Sequence, residues 1–266
     1  MPDRKPSSSS AARPTRSKIV AVVSDIHFDL HHEPTWLAFR KWHARVKPWK
    51  TVVLGDFLDL GMMSKYLPES HQSRDPIAQI ECFVGEMKLL APNTQELIVV
   101  EGNHDERWGK YLAGAAPDIL KRAKGLSLKD QCDAHGMPPC VWSKEHAEFI
   151  GYRVGPFILR HGHKQASKFG GKLIASSRAA IANGQSEVLG HHHKGQMFCL
   201  SSNGRTTVVV ANPCMTGNHD YAVDANWQRG FTVIEVMGEH EATAYPIIVQ
   251  NGRFAWAGRV YDGNRP

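Results

Sequence analysis

Histidine, aspartate and asparagine gather beside glycine at five places in this chain, and these residue types could hold metal ions. The first three groups are Asp25-Ile26-His27, Gly55-Asp56-Phe57-Leu58-Asp59 and Gly102-Asn103-His104-Asp105. Two more follow, His161-Gly162-His163 and Gly190-His191-His192-His193. Imidazole and carboxylate groups without thiolate suit manganese, iron, nickel or zinc. The five groups therefore predict a metal centre built from distant parts of the chain.

The segments around these groups indicate how they could meet. Short apolar runs at 19–23, 51–54 and 96–100 are typical of strands buried on both faces. Helical spacing covers 34–47 and 76–90. This alternation predicts an α/β fold with a largely parallel sheet. Because the carboxyl ends of parallel strands share one edge, we expect the five groups to converge there.

A cluster of this composition has a specific chemical use. A carboxylate can bridge two cations about 3.5–4 Å apart, and such a pair can clamp a phosphoryl oxygen and generate hydroxide near neutral pH. A single D-x-H or GDxxD is usually a turn, a cap or a solvated surface. Five such groups in this order predict hydrolysis of a phosphoester.

The order of the groups resembles the signature of the calcineurin-like metallophosphoesterases: D-x-H, GDxxD, GNH(D/E), a later His often followed by Gly, and GHxH, over about 18–236. The resemblance implies an α/β fold of the four-layer αββα sandwich type, with two facing sheets. The sequence is also similar to phage and prophage phosphoesterases. That similarity rests on Gly102 to Arg107 followed by Ala116-Pro117, on His161-Gly162-His163, and on Asn226 to Phe231.

The resemblance implies a role for individual residues. It implies two divalent metal ions, manganese first with nickel, iron or zinc as alternatives. The implied ligands are Asp25, His27 and His193 for one metal, Asn103, His161 and His191 for the other, and Asp56 as the bridge.

The resemblance also implies which residues act on the substrate. His104 would stabilise the transition state and protonate the leaving oxygen without binding metal, and Asp59 would orient its imidazole. Arg107 and His163 are candidate substrate-binding residues. The alternatives are a solvated cation or a surface ion pair for Arg107, and a place in the outer shell of a metal for His163. The three consecutive histidines are expected to alternate as in extended chain, with His191 and His193 on one side.

The expected activity is hydrolysis of phosphodiesters, in nucleic acid or nucleotide-type substrates, by in-line attack of a metal-bound hydroxide. The preference for diesters rests on the association of phage-type relatives with nucleic-acid genes. The same core would serve a phosphomonoesterase acting on proteins or nucleotides. A non-catalytic binding or scaffold protein on the same fold is the third alternative.

The length and composition of the chain predict its domain organisation. The chain has 266 residues, with 32 Lys plus Arg against 26 Asp plus Glu. Residues 1–17 are rich in Ser, Pro and Arg and predict a flexible basic arm, and 18–266 predicts a single domain with an insertion at about 106–148. No apolar run reaches the roughly 18 residues of a membrane span, and no apolar segment follows the N-terminal charges. With five cysteines and no C-x-x-C pair, we expect a cytoplasmic protein without a membrane partner.

The remaining expectations concern the second half and the insertion. A second Gly-Asn-His-Asp at 217–220 predicts a loop near the site, and Asn251-Gly252 predicts a hairpin turn. Core packing is the expected role of Trp108, Tyr111 and Trp142, with base stacking as the alternative. Further expected elements are strands within 149–160 and at 186–189, 206–211, 231–236, 242–249 and 253–260, and a helix at 172–183.

Overall fold

A computed structural model describes residues 17–64, 75–115, 123–144, 151–164, 173–202, 204–219 and 225–265. The predicted basic arm lies outside the described residues except for Ser17, whose hydroxyl donates to Glu235 Oε2 at 2.9 Å. Strands and helices alternate along the first part of the chain. In order these elements are β1 (Lys18–Val23), α1 (Glu33–Val46), β2 (Lys50–Leu54), a 3-10 turn (Gly61–Met63), α2 (Pro76–Leu90), a 3-10 turn (Ala91–Asn93) and β3 (Glu96–Glu101).

Strands dominate the rest of the described chain. The elements are α3 (Glu106–Ala115), α4 (Leu128–Ala134), β4 (Val141–Lys144), β5 (Tyr152–Val154), β6 (Phe157–Arg160), α5 (Leu173–Ala182), β7 (Ser186–Leu189), β8 (Gln196–Ser202), β9 (Arg205–Ala211), β10 (Gly230–Val236), β11 (Ala242–Ile248), β12 (Arg253–Trp256) and β13 (Arg259–Asp262). None of these described helices is long and apolar enough to cross a membrane.

The described strands form two large sheets. The first sheet runs in the order β11-β10-β1-β2-β3-β4, with β1 to β4 parallel and β10 and β11 antiparallel. The second runs β5-β6-β7-β9-β8, with β6, β7 and β9 parallel and antiparallel strands at both edges. The parallel strands of each sheet therefore end at one edge.

Alternation along β1 separates two cores. Val20 and Val22 face the second sheet, where they belong to the same buried cluster as Leu159 and Val210. The odd-numbered side chains of β1 join a cluster with the aromatic side chains of α1 and the apolar face of α2. Helix α5 covers the outer face of the second sheet through Ala180. The expected four-layer αββα sandwich is confirmed.

The insertion and the C-terminal segment differ in detail from the sequence predictions. Strand β4 lies inside the insertion and adds a fourth parallel strand to the first sheet, and the edge strand β8 was not predicted. The single strand predicted over 253–260 is wrong. Ala257 and Gly258 have φ values of 47° and 73°, so the chain reverses there and β12 pairs with β13. The Asn251-Gly252 turn is present, closed by a bridge between Gln250 and Arg253. The hairpin predicted between the strands on either side of it is wrong, because β11 pairs with β10 and β12 pairs with β13.

The β12–β13 hairpin packs against α1 through aromatic side chains. Trp42 is fully buried, and its ring centroid lies 4.8 Å from that of Phe231 and 5.6 Å from that of Trp256. Trp42 therefore joins helix α1, the first sheet and the C-terminal hairpin.

Trp42→Ala should lower the free energy of unfolding by about 3–5 kcal/mol, because it leaves a cavity where three elements meet. Val260→Ala is the control, since Val260 is 57% exposed and its loss should change the free energy by less than about 0.5 kcal/mol. Urea unfolding followed by circular dichroism measures both variants. Similar losses in the two would contradict this packing.

Candidate metal centre

The five polar groups all follow the ends of strands, at one edge of the sandwich. Asp25, Asp56 and Asn103 come just after β1, β2 and β3 of the first sheet. His161 and His191 follow β6 and β7 of the second sheet. The two sheets are connected at this point, because the His161 Nδ1–H donates to the Leu54 carbonyl at 2.9 Å. The convergence predicted from strand order is confirmed.

The first donor group consists of Asp25, His27 and His193. Each offers one ligand atom, and these atoms lie within 4.8 Å of one another. His193 Nε2 lies 3.1 Å from Asp25 Oδ1. His27 Nε2 and His193 Nδ1 are buried and have no hydrogen-bond partner among the described residues. Buried polar atoms without partners are rare in proteins, so this group fits a cation.

The second donor group consists of Asp56, His161 and His191, again with ligand atoms within 4.8 Å. Because Nδ1 of His161 donates to a carbonyl, the neutral imidazole presents a lone pair at Nε2. His161 Nε2 lies 3.1 Å from Asp56 Oδ2 and 3.1 Å from Asn103 Oδ1. Three acceptor atoms that face one another are the donor set of a metal ion.

Asp56 also approaches the first group. Its carboxylate, His27 and His104 offer three atoms within 4.8 Å of one another. The His104 backbone N–H donates to Asp56 Oδ1 at 2.8 Å, and the imidazole Nε2 lies 4.0 Å from Oδ2. Burial would raise the pKa of Asp56, but His161 and His104 hold it well below its usual range. Asp56 is thus an anion between the two donor groups.

Buried imidazoles in this centre are held in the form that binds metal. Burial and the neighbouring His104 lower the pKa of His27 to about 4. Burial and His161 lower the pKa of His191 to about 3. Both rings are neutral at pH 7, and neutral imidazole is the metal ligand.

The backbone at the donor residues is strained. Five of them have left-handed φ values: Asp25 52°, His27 52°, Asp56 49°, His191 67° and His193 54°. Such conformations cost on the order of 1–3 kcal/mol each in non-glycine residues and cluster at functional sites. The extended alternation predicted for 191–193 is therefore wrong. His191 and His193 instead turn into different donor groups, and His192 belongs to neither.

Asp59 supports both a donor residue and His104. Its Oδ1 lies 2.9 Å from His27 Nδ1 and 3.1 Å from His104 Nδ1. Burial would raise the pKa of Asp59, but hydrogen bonds from these histidines hold it well below its usual range. Burial favours neutral His104, yet Asp56 and Asp59 outweigh it and raise the His104 pKa. The contact with His104 was expected, whereas the contact with His27 was missed by sequence reasoning.

The two candidate substrate residues lie at the margin of the centre. Arg107 donates from Nη1 to the Asp59 carbonyl at 2.7 Å, and its Nη2 lies 3.1 Å from His104 Nε2. The His163 ring centroid lies 5.4 Å from that of His161. Arg107 therefore neighbours His104, which is expected to act on the substrate, and His163 neighbours His161 of the second donor group.

Asp105 connects two of the loops that carry the site and was missed by sequence reasoning. The buried carboxylate accepts from the Leu58 N–H at 3.0 Å and from the Gly102 N–H at 2.8 Å. It thereby holds the loop after β2 against the loop after β3. Its position as the last residue of Gly-Asn-His-Asp was the only signal in the sequence.

Aromatic side chains surround the first donor group. His219, from the second Gly-Asn-His-Asp, has its ring centroid 5.3 Å from that of His27, and Trp227 lies 4.4 Å from His193. The loop at 217–219 therefore lies near the site as expected, and Asp220 lies outside the described residues.

In the insertion, Trp108 is buried and the ring centroid of Trp142 lies 5.6 Å from that of Phe57. Core packing is wrong for Tyr111, which is 51% exposed.

Gly102→Ala should disrupt the centre, because a Cβ at this position would overlap the backbone nitrogen and Oδ1 of Asp56. We expect a loss of about 1–3 kcal/mol in stability and weaker manganese binding, measured by urea unfolding and titration calorimetry. Gly109→Ala is the control, since a Cβ there meets nothing within 4 Å, and it should stabilise α3 by about 0.5–1 kcal/mol. Unchanged manganese binding in Gly102→Ala would contradict the close approach of the two loops.

Known proteins are similar to this sequence over most of its length. A family model described as calcineurin-like phosphoesterase matches residues 19–195. Gene 54 proteins of Mycobacterium phages L5 and D29 are each 26% identical in an alignment of 261 positions that covers 92% of this chain and 99% of theirs.

The fold also matches a solved structure. The structure of vacuolar protein sorting 29 from Cryptosporidium parvum aligns with a TM-score of 0.51 and 16% identity, over 93% of this chain and 100% of that chain. This likeness shows the fold alone. The family model covers more than half of the chain and includes both donor groups, and the chain therefore belongs to the calcineurin-like phosphoesterase family.

Proposed function

We propose that this protein is a dinuclear metal-dependent phosphodiesterase that acts on nucleic acid or nucleotide-type substrates. The observation that carries the proposal is the pair of donor groups on either side of Asp56, with His104 beside them. A family match supports a hydrolase of phosphoesters. The preference for diesters rests on the phage proteins among the relatives, because phage-type relatives are associated with nucleic-acid genes.

The proposed ligands follow from the donor groups. Asp25, His27 and His193 would hold one divalent cation, and Asn103, His161 and His191 would hold the other, with Asp56 between them. Nitrogen and oxygen donors without sulfur fit manganese, nickel, iron or zinc, and the family resemblance puts manganese first. Two such cations, when bound, lower the pKa of a water molecule and offset charge on the phosphoryl oxygens.

The chain's own side chains would complete the reaction. Asp59 holds Nδ1 of His104, so the opposite nitrogen is the one that can serve the substrate. Asp56 and Asp59 raise the pKa of His104 against burial and the Arg107 guanidinium, which lower it. A protonated ring could donate its proton to the leaving oxygen. Arg107, whose guanidinium lies against His104 Nε2, would compensate the negative charge of the phosphoryl group.

A cytoplasmic location belongs to the same proposal. All five cysteines are free, as a reducing compartment would keep them. Several of these thiols are also unreactive, because burial raises the pKa of Cys82 to about 11 and of Cys214 to about 12. They therefore take no part in the proposed chemistry.

Metal binding and turnover should separate in two variants. Asp56→Asn removes the anion shared by the donor groups and should lower manganese occupancy, measured by elemental analysis after dialysis. His104→Ala should keep both metal ions but slow turnover by about 10² or more, the usual scale for a lost acid or electrostatic group. Equal metal loss in both variants would refute the separate roles.

The substrate class is tested with two chromogenic esters. Purified protein loaded with manganese, nickel or zinc should hydrolyse bis-p-nitrophenyl phosphate faster than p-nitrophenyl phosphate. A preference for the monoester would favour a phosphatase. Absence of turnover with every metal would favour a binding or scaffold protein. The Asp56→Asn variant, prepared in parallel, controls for contaminating phosphatases.

A further inference from the structure

A second charged cluster adjoins the metal centre on the side of the second donor group. Glu106, the first residue of α3, lies with Oε1 3.4 Å from His163 Nε2 and 3.3 Å from Lys164 Nζ. Its other oxygen, Oε2, is 2.6 Å from Lys110 Nζ. Three cationic or protonatable side chains thus converge on a single carboxylate.

This cluster lies beside the second donor group. The ring centroid of His163 is 5.4 Å from that of His161 and 6.3 Å from that of His191. Both neighbours belong to the second donor group. A group bound at His163 would therefore sit next to the scissile phosphoester.

The carboxylate of Glu106, which now lies in the cluster, is an anionic hydrogen-bond acceptor like the oxygens of a phosphate. Partial burial would raise the pKa of Glu106, but His163 and Lys110 hold it well below its usual range, so the carboxylate is ionised. Ammonium groups and imidazole N–H groups that bind a carboxylate also bind phosphate through hydrogen bonds. The side chains of Glu106 and Lys164 are 22% and 34% exposed, so solvent reaches both.

We propose that His163 and Lys164 form a subsite for a second phosphate of the substrate, next to the bond that is cleaved, and that Glu106 occupies this subsite until substrate binds. The inference rests on the proposed phosphodiesterase function. It narrows the substrate class to oligonucleotides that carry a phosphate adjacent to the scissile one. Glu106 would then compete with the second phosphate of the substrate. Removal of Glu106 should therefore raise kcat/KM for such substrates, and removal of Lys164 should lower it.

The test compares thymidine dinucleotides that differ only in a terminal phosphate. The manganese-loaded protein is assayed with the unphosphorylated dinucleotide and with the forms that carry a 5′- or a 3′-phosphate. Wild type should prefer one phosphorylated form. Lys164→Ala should lower kcat/KM for that form about tenfold, the scale of one charge-assisted hydrogen bond, and leave the unphosphorylated form unchanged. Glu106→Gln should raise kcat/KM for the phosphorylated form alone.

Lys110→Ala is the matched control. Lys110 binds the other oxygen of Glu106 and its side chain is 67% exposed, so its loss should change the ratio of the two kcat/KM values less than twofold. A loss as large as that of Lys164→Ala would indicate a general charge effect and overturn the subsite. The subsite is also overturned if Lys164→Ala affects both substrates equally or neither.

The two proposals fail in different ways. If wild type cleaves the dinucleotides but shows no dependence on Lys164, the subsite is wrong and the phosphodiesterase stands. If wild type cleaves no dinucleotide and only a phosphomonoester, the phosphodiesterase is wrong and the subsite falls with it.

Discussion

The buried carboxylate of Asp56 is the constraint on which the rest of this structure depends. It lies between two groups of histidine and aspartate side chains, 2% exposed, and it accepts a hydrogen bond from the His104 backbone. A buried anion is costly unless opposite charge or hydrogen bonds compensate it. Asp25, fully buried nearby, has the same requirement. Divalent cations at the two donor groups would meet this requirement.

The two sheets of the sandwich bring these side chains together. The first sheet supplies Asp25, His27 and Asp56, and the second sheet supplies the histidines that face them. Their junction leaves no room for larger residues, since a Cβ on Gly55 would overlap the His161 ring and one on Gly102 would overlap Asp56. Most donor positions have left-handed backbone, a conformation that persists in non-glycine residues only where the surrounding structure holds it.

The sequence predicted what depends on local pattern. The β-branched runs of β1 to β3 and the helices between them were evident, and the strand-end rule brought the five groups to one edge. The two-sheet architecture and the assignment of ligands to each of the two metal ions were predicted from the family resemblance. Features that depend on tertiary contact escaped prediction: the exposed edge strand β8 lacks a one-sided apolar pattern, and the turn at Ala257-Gly258 carries only a weak signal. The clamp by Asp105, the second contact of Asp59 and the Glu106 cluster join residues distant in the chain, which no local spacing reveals.

We propose that two cations occupy the two donor groups. Anomalous diffraction from crystals of the protein grown with manganese would locate them. We expect two manganese peaks, one among Asp25, His27 and His193 and one among Asp56, His161 and His191, with Asp56 in contact with both. A single peak, or peaks elsewhere on the protein, would contradict it.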